Sequence, residues 1–271
     1  MDEAGQALEP AAWIAILKAE KLIMAGDHFQ LSPTIKSQEA GRLGLSKTLL
    51  EKNVLHHPEV VTLLEEQYRM NEQIMGYSSQ VFYNNRLKAH PTVGKHLLFE
   101  GDRALEFVDT AGCGFEEKAD GTSTVNPEEA AFLFKHFKLL ADEIGKQSGE
   151  SDFPTVAIIS PYKSQIHILS EQLEHSPLKS YGTRISVNTI DSFQGQERDI
   201  VYISMTRSNN DGEIGFLSDI RRMNVAMTRA RKKLVVIGDS ATLSQDRFYH
   251  NFITYAESIN AYRSAWDYLV D

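Results

Sequence analysis

The sequence predicts an α/β protein built on a parallel sheet with helices on both faces. Short runs rich in Val, Ile and Leu recur along the chain, and the stretches between them carry the 3.6-residue apolar period of amphipathic helices. Several runs are continuously apolar rather than alternating, which is the pattern of strands covered on both faces. Strands separated by helices require crossover connections, and those place helices on the two sides of one sheet.

The runs read as strands are 21–26 (KLIMAG), 60–66 (VVTLLEE), 104–110 (ALEFVDT), 155–161 (TVAIISP), 184–190 (RISVNTI), 199–206 (DIVYISMT) and 233–239 (KLVVIGD). The clearest helix is 126–145. Asn126 stands as its N-cap, Pro127 at the first position and Glu129 three after the cap; Gly145 reads as its stop. Ala131, Phe134, Phe137 and Leu140 then share one stripe. Residues 219–233 read as a second helix, with Arg222 and Arg229 seven apart on one face. Two loops are expected at 111–124 and 145–154, and a domain boundary near 52–59.

Composition narrows the class. The chain has 271 residues, 42% hydrophobic and 24% charged, enough for one large or two modest domains. Its single cysteine, Cys113, leaves no internal disulfide framework and fits a reducing interior, and no run is apolar enough to span a bilayer. A soluble, cytoplasmic protein is expected. A net charge of −9 argues against a broad nucleic-acid-binding face. The exception is 221–233, which holds six basic residues and no acid and suits a local anion site.

In parallel α/β sheets ligands bind beyond the carboxyl ends of the strands, so those segments carry the functional reading. After 21–25 comes GDHFQLSPT (26–34), in which Asp27 and Gln30 can reach a phosphate or a water. After 60–64 comes EEQYRMN (65–71), where Tyr68 offers a stacking ring and Arg69 a forked donor. SPYKSQ (160–165) pairs a hydroxyl with the first amides of a helix, a phosphodiester-binding arrangement. TIDSFQGQERD (189–199) places hydroxyls, a glycine, Gln, Glu and Arg in one polar loop. Taken alone, the first three segments also read as a capped turn, a surface Tyr-Arg pair and a helix N-cap, while a loop as polar as 189–199 between two buried strands is seldom mere connection.

Taken in order, DEAGQALEP at 2–10, GDHFQLSPT, EEQYRMN, ISPYKSQ, VNTIDSFQGQERDIVYISMTRSN and GFLSDIRRMNVAMTRARKKLVVIGD resemble motifs II to VI of superfamily 1 helicases. The group resembled is that of the nonsense-mediated-decay helicase and the immunoglobulin-mu-binding helicase. The resemblance implies two RecA-like domains with ATP and Mg²⁺ in the cleft between them. Residues 1–57 would be the C-terminal remnant of RecA-like domain 1 with motifs II and III, and 58–271 RecA-like domain 2 with motifs IV to VI. Asp2 would hold Mg²⁺, Glu3 would activate the attacking water and Gln30 would sense the γ-phosphate. Tyr68 would stack on adenine, Arg69 would reach the phosphates, and Glu197 would approach the ribose with Gly195 letting the backbone come close. Arg229 would be the arginine finger. Ser160, Tyr162 and Thr189 would lie along single-stranded DNA or RNA, with movement 5′ to 3′.

Such a site also needs a phosphate-binding G-x-x-x-x-G-K-[ST] loop ahead of the Asp-Glu pair. GRLGLSKT (41–48) imitates it but has Ser46 for the second glycine and no strand in front, so 37–50 reads as an ordinary helix. The chain is therefore expected to be the C-terminal module of an ATP-dependent helicase, inactive alone. Its partners would be single-stranded nucleic acid and an N-terminal RecA-like domain, with self-association through 1–57 as another way to cover that segment. The competing reading is a non-catalytic binding or regulatory module that kept the fold. A dinucleotide-binding enzyme is excluded by the lack of G-x-G-x-x-G after any strand.

Overall fold

The computed structural model describes residues 1–148 and 153–269, in two compact units, Met1–Leu64 and Glu65–Asp271. The division falls after Leu64, later than the boundary expected near 52–59, and the loop expected at 145–154 lies partly outside the described residues.

The second unit holds the sheet. Strands β1 (Glu66–Gln67) and β2 (Lys88–Ala89) form a small parallel pair, and β4 (Lys118–Asp120) and β5 (Ser123–Val125) an antiparallel one. The main sheet joins β3 (Leu105–Asp109), β6 (Val156–Ile159), β7 (Ile185–Asn188), β8 (Arg198–Ser204), β9 (Ala230–Gly238) and β10 (Tyr262–Ser264). Its order is β10-β3-β9-β8-β6-β7, with every pair parallel. The helices are α1 (Glu9–Ile16), α2 (Gln38–Ala40) and α3 (Leu49–His56) in the first unit. In the second they are α4 (Glu72–Phe82), α5 (Pro91–Gly94), α6 (Pro127–Ser148), α7 (Lys163–His175), α8 (Ile220–Met227), α9 (Ser240–Leu243), α10 (Arg247–Ser258) and α11 (Trp266–Leu269).

Alternate strand residues serve opposite faces. Val108, Val156, Ile158, Ile200, Tyr202, Val235 and Ile237 pack with Leu133 and Phe137 of α6 and Leu169 of α7. On the other face Phe107 meets Phe252 of α10 edge-on, and Phe248 and Phe252 flank Tyr77 of α4. The expected α/β architecture, a parallel sheet with helices on both faces, is what the chain forms. No described helix is long and apolar enough to cross a membrane.

Several expected elements differ. Asn126 caps α6 by accepting from Glu129 N–H at 2.9 Å, as the sequence implied, but α6 runs through Gly145 to Ser148. Its buried stripe is Ala130, Leu133, Phe137, Ala141 and Ile144, and Ala131 is exposed. The expected helix 219–233 stops at Met227, because Ala230 already pairs with Arg198 at the start of β9. Residues 60–65 form no strand: Val60 and Leu64 are largely exposed, and only Glu66–Gln67 finds a strand partner. Residues 21–26 are not a regular strand either. Within the expected loop 111–124, β4 and the start of β5 form a hairpin. The stretch 37–50 is a broken segment: after α2 a wide turn (Gly41–Leu45) bends at Gly44, whose φ of 105° ends the helical path. Buried Thr48 then caps α3 through a reciprocal pair with Glu51.

Candidate nucleotide and nucleic-acid sites

In the first unit the opening residues lie beside 23–25. Met1 N donates to Ile23 O, Ala25 N to Met1 O and Ala4 N to Ala25 O, each at 2.8–2.9 Å. These are the bonds of a short parallel ladder. The approach is close enough that a Cβ on Gly26 would meet the backbone nitrogens of Ala4 and Gly5 at 2.8 Å. The ladder brings Asp2 and Glu3 to the same end as the loop 26–34. Both carboxylates are exposed; Asp2 Oδ1 accepts Glu3 N–H, and Glu3 Oε2 accepts Gln6 Nε2. Glu3 sits at φ 49°, in the left-handed region that non-glycine residues seldom adopt. Asp27 orders the neighbouring loop, taking Phe29 N–H on one oxygen and Gln30 Nε2 on the other, both at 2.9 Å. Exposed carboxylates on a rigid ladder are hard oxygen donors of the type Mg²⁺ takes together with waters and phosphate oxygens, so Asp2 fits the expected ion. Among the described residues no group of three or more His, Cys, Asp or Glu side chains could hold a metal by itself.

In the second unit three sequence-distant segments converge: 67–69, 195–197 and 228–231. Gln67 builds the first turn, its Oε1 accepting Arg69 N–H and Met70 N–H while its Nε2 donates to Met70 O. Arg69 Nε then donates to Glu197 Oε2 at 2.9 Å and Nη1 to Thr228 O at 3.2 Å. Its Nη2 has no partner among the described residues, and the side chain is 33% exposed. Arg231 Nη1 lies 3.6 Å from the other oxygen of Glu197, so two guanidinium groups flank one carboxylate, and Arg231 Nε also lies 4.0 Å from Asp199 Oδ1. Gly195, at φ 71° with open space where a Cβ would go, turns the chain into Glu197. Tyr68 stands 62% exposed beside them. Its hydroxyl donates to Glu66, and this carboxylate raises the phenol above its ordinary range.

Arg229 does not share a face with Arg222. It is 3% exposed, lies past the end of α8, and donates from Nε to Val225 O at 3.0 Å and from Nη1 to Gln196 O at 3.3 Å. It thereby ties the last carbonyls of α8 to the 195–197 loop. Arg222 is the surface residue, paired with Asp219 and Asp191.

The expected nucleic-acid contacts divide in the same way. Thr189 is half-buried at the start of a single helical turn (Ile190–Phe193), and its side chain makes no capping bond there. Ser160 and Tyr162 are interior. Ser160 Oγ bonds Thr206 Oγ1 at 3.0 Å and accepts Tyr162 N–H, while Tyr162 hydroxyl donates to Ile214 O and accepts from Phe216 N–H and Arg207. The strand end that presents them is closed over by residues 206–216, which adjacency in sequence could not reveal. Beneath it lies Glu129, fully buried, accepting from Ser204 Oγ at 2.5 Å and Thr206 N–H at 2.9 Å. Burial pushes its carboxyl up to about 8, against the opposing pull of those hydrogen bonds. Sequence reading gave Glu129 a capping role and passed over Gln67 and Arg231. The adjacency of Gln67 to Tyr68, and of Arg231 to Arg229, was the available signal.

Two family models, each described as an AAA domain, match residues 1–38 and 45–241. Rat DNA-binding protein SMUBP-2 is 38% identical over 283 aligned residues, spanning 100% of this chain and 28% of the relative. An uncharacterized ATP-dependent helicase of Methanocaldococcus jannaschii is 39% identical over 274 residues, 96% of this chain and 38% of the relative. The DNA polymerase alpha-associated DNA helicase A of Saccharomyces cerevisiae is 36% identical over 271 residues, 90% of this chain and 38% of that one. The chain thus spans about two fifths or less of each. A solved arterivirus helicase in complex with DNA overlays 87% of the chain loosely, with a TM-score of 0.42 at 16% identity. On the two matched domain segments, which between them leave little of the chain uncovered, the protein belongs to the AAA-domain family of superfamily 1 helicases.

Proposed function

We propose that this chain is the motif II-to-VI module of an ATP-dependent helicase that moves on single-stranded nucleic acid. The observation that carries the reading is Arg69: a guanidinium oriented by Glu197 and Thr228 O, with one terminal nitrogen unused and open to solvent, beside an exposed aromatic ring. A planar fork fixed in this way suits a phosphate, and a ring next to it suits a base. Supporting it, the relatives of similar sequence include proteins named as helicases.

In this reading Tyr68 stacks on the base, Arg69 takes phosphate oxygens and Glu197 faces the ribose. On the first unit Asp2 would hold Mg²⁺, which would supply charge neutralisation to the phosphates; Glu3 would orient water, and Gln30, anchored on Asp27, would sense the terminal phosphate. Arg229 has the arginine-finger role, with its buried pose as the resting position. To reach phosphate it must leave Val225 O and Gln196 O, so its engagement is coupled to the loop that carries Glu197. Thr189 contacts the nucleic-acid backbone, while Ser160 and Tyr162 shape the edge from inside.

The 271 residues contain no complete phosphate-binding loop. Expressed alone they are expected to show no ATPase activity with or without single-stranded nucleic acid, and joined to a Walker A-bearing domain they are expected to hydrolyse ATP. Arg69→Ala in the active form should raise KM and lower kcat together. Stimulated turnover by the 271-residue chain that vanishes in Glu3→Gln would overturn the module reading.

A further inference from the structure

The ring of His90 lies against Tyr68, with centroids 4.4 Å apart and planes inclined by 25°. We propose that His90 is a positioning residue for a nucleotide base: it backs one face of Tyr68 so that the other face is held ready for a purine ring. The proposal rests on the Tyr68 assignment made above.

The stack follows from strand register. Glu66 pairs with Lys88 and Gln67 with Ala89 in the parallel β1–β2 pair, and the residues that directly follow the two strands are Tyr68 and His90. The ladder continues one bond further, His90 N–H donating to Gln67 O at 2.9 Å. Neighbouring side chains on adjacent strands point the same way, so the two rings meet face to face.

Both rings are also tethered at their polar ends. Tyr68 hydroxyl donates to Glu66 Oε2 at 2.8 Å. His90 caps α5: its Nδ1 accepts Thr92 N–H at 3.3 Å and lies 2.7 Å from Thr92 Oγ1. An Nδ1 that accepts an amide proton leaves the ring proton on Nε2 and fixes the plane of the imidazole. The ring behind Tyr68 is therefore set by a helix cap and a strand pair.

An exposed tyrosine ordinarily loses rotamer freedom when it stacks on a ligand. Here that freedom is already restricted, and stacking costs correspondingly less. Beyond its cap on Thr92, His90 touches the Tyr68 ring and no group assigned to the phosphates, so its effect belongs to nucleotide affinity and not to the chemical step.

The test uses the chain joined to a Walker A-bearing domain, the form expected to turn over ATP, and a fluorescent ADP, with Tyr68→Ala, His90→Ala and His90→Phe. His90→Ala is expected to weaken ADP binding about two- to tenfold, the range of an aromatic pair. KM for ATP should rise by the same factor with kcat unchanged, and His90→Phe, which keeps a ring behind Tyr68, should restore both. Wild-type affinity in His90→Ala, with Tyr68→Ala clearly weakened, would overturn the proposal and leave the Tyr68 reading intact. Wild-type affinity in Tyr68→Ala would overturn that reading itself. Should His90→Ala destabilise the fold, His90→Phe decides: a well-folded Phe variant that still binds weakly sinks the stacking role.

Discussion

Two arginines seven residues apart meet opposite fates, and their difference is measurable. Arg222 makes solvent-exposed ion pairs with Asp219 and Asp191, which contribute about 0–1 kcal/mol. Arg229 is buried on Val225 O and Gln196 O. In a form joined to a Walker A-bearing domain Arg229→Ala is expected to lower kcat by about 10³-fold, and to raise KM as well, because it releases the loop that carries Glu197. Arg222→Ala should leave both within a few-fold. A loss confined to kcat would mean that the brace to Gln196 O is incidental. Glu129 supplies a second residue-scale prediction. Its folded pKa, near 8, lies above the ordinary 4.5. The unfolded chain therefore ionises first as pH rises, and stability present below pH 4.5 is lost progressively up to about pH 8. Glu129→Gln does not titrate. Thermal melts from pH 5 to pH 8.5 should show wild type losing ground to the variant; parallel curves would mean that Glu129 is ionised in the native protein.

At the scale of elements, sequence legibility followed burial. The central strands β3, β6, β8 and β9 were legible as apolar runs because both sheet faces are covered, and the cap of α6 was legible in Asn126-Pro127. Short pieces held by a few local bonds were not. β10 is Tyr262–Ser264, with no apolar signature, and it joins the sheet through its backbone to Phe107, Val108 and Asp109. The expected strand at 60–66 shows the converse: Val and Leu suggest a strand, yet residues 60–65 find no strand partner, and Val60, Val61 and Leu64 stay exposed. Motif order singled out Arg69 and Glu197 from segments 128 residues apart, and the fold brings them within 2.9 Å. The brace made by Arg229 and the enclosure of Ser160 and Tyr162 depend on contacts across more than thirty residues of sequence, which no local pattern encodes. In the first unit α3 depends on its cap. Thr48→Ala removes a buried reciprocal pair and is expected to cost about 1 kcal/mol of local stability. Faster amide exchange across Leu49–His56, with exchange in β8 and β9 unchanged, is the expected signature.

For the whole molecule, charge sets the terms on which the proposed nucleic-acid binding would occur. With a net charge of −9, long-range attraction to a phosphate backbone is absent, and binding must rely on a few local cations. Anisotropy titrations of a labelled single strand should therefore give weak affinity that falls about tenfold or more between about 50 and 200 mM salt. Tight binding that survives high salt would point to base stacking in place of phosphate contacts. The strand order carries a further consequence, for synthesis. Among the described residues β3 pairs only with β9 and β10, and β6 only with β7 and β8. As the chain emerges, β6, β7 and β8 can associate early, but β3 must wait for β9, more than a hundred residues later, before it has any neighbour. Closing so long a loop is slow. During that interval β3 and the apolar face of α6 need shelter, so a nascent chain stalled before residue 230 is expected to bind chaperones, while one extended past 238 is expected to be released.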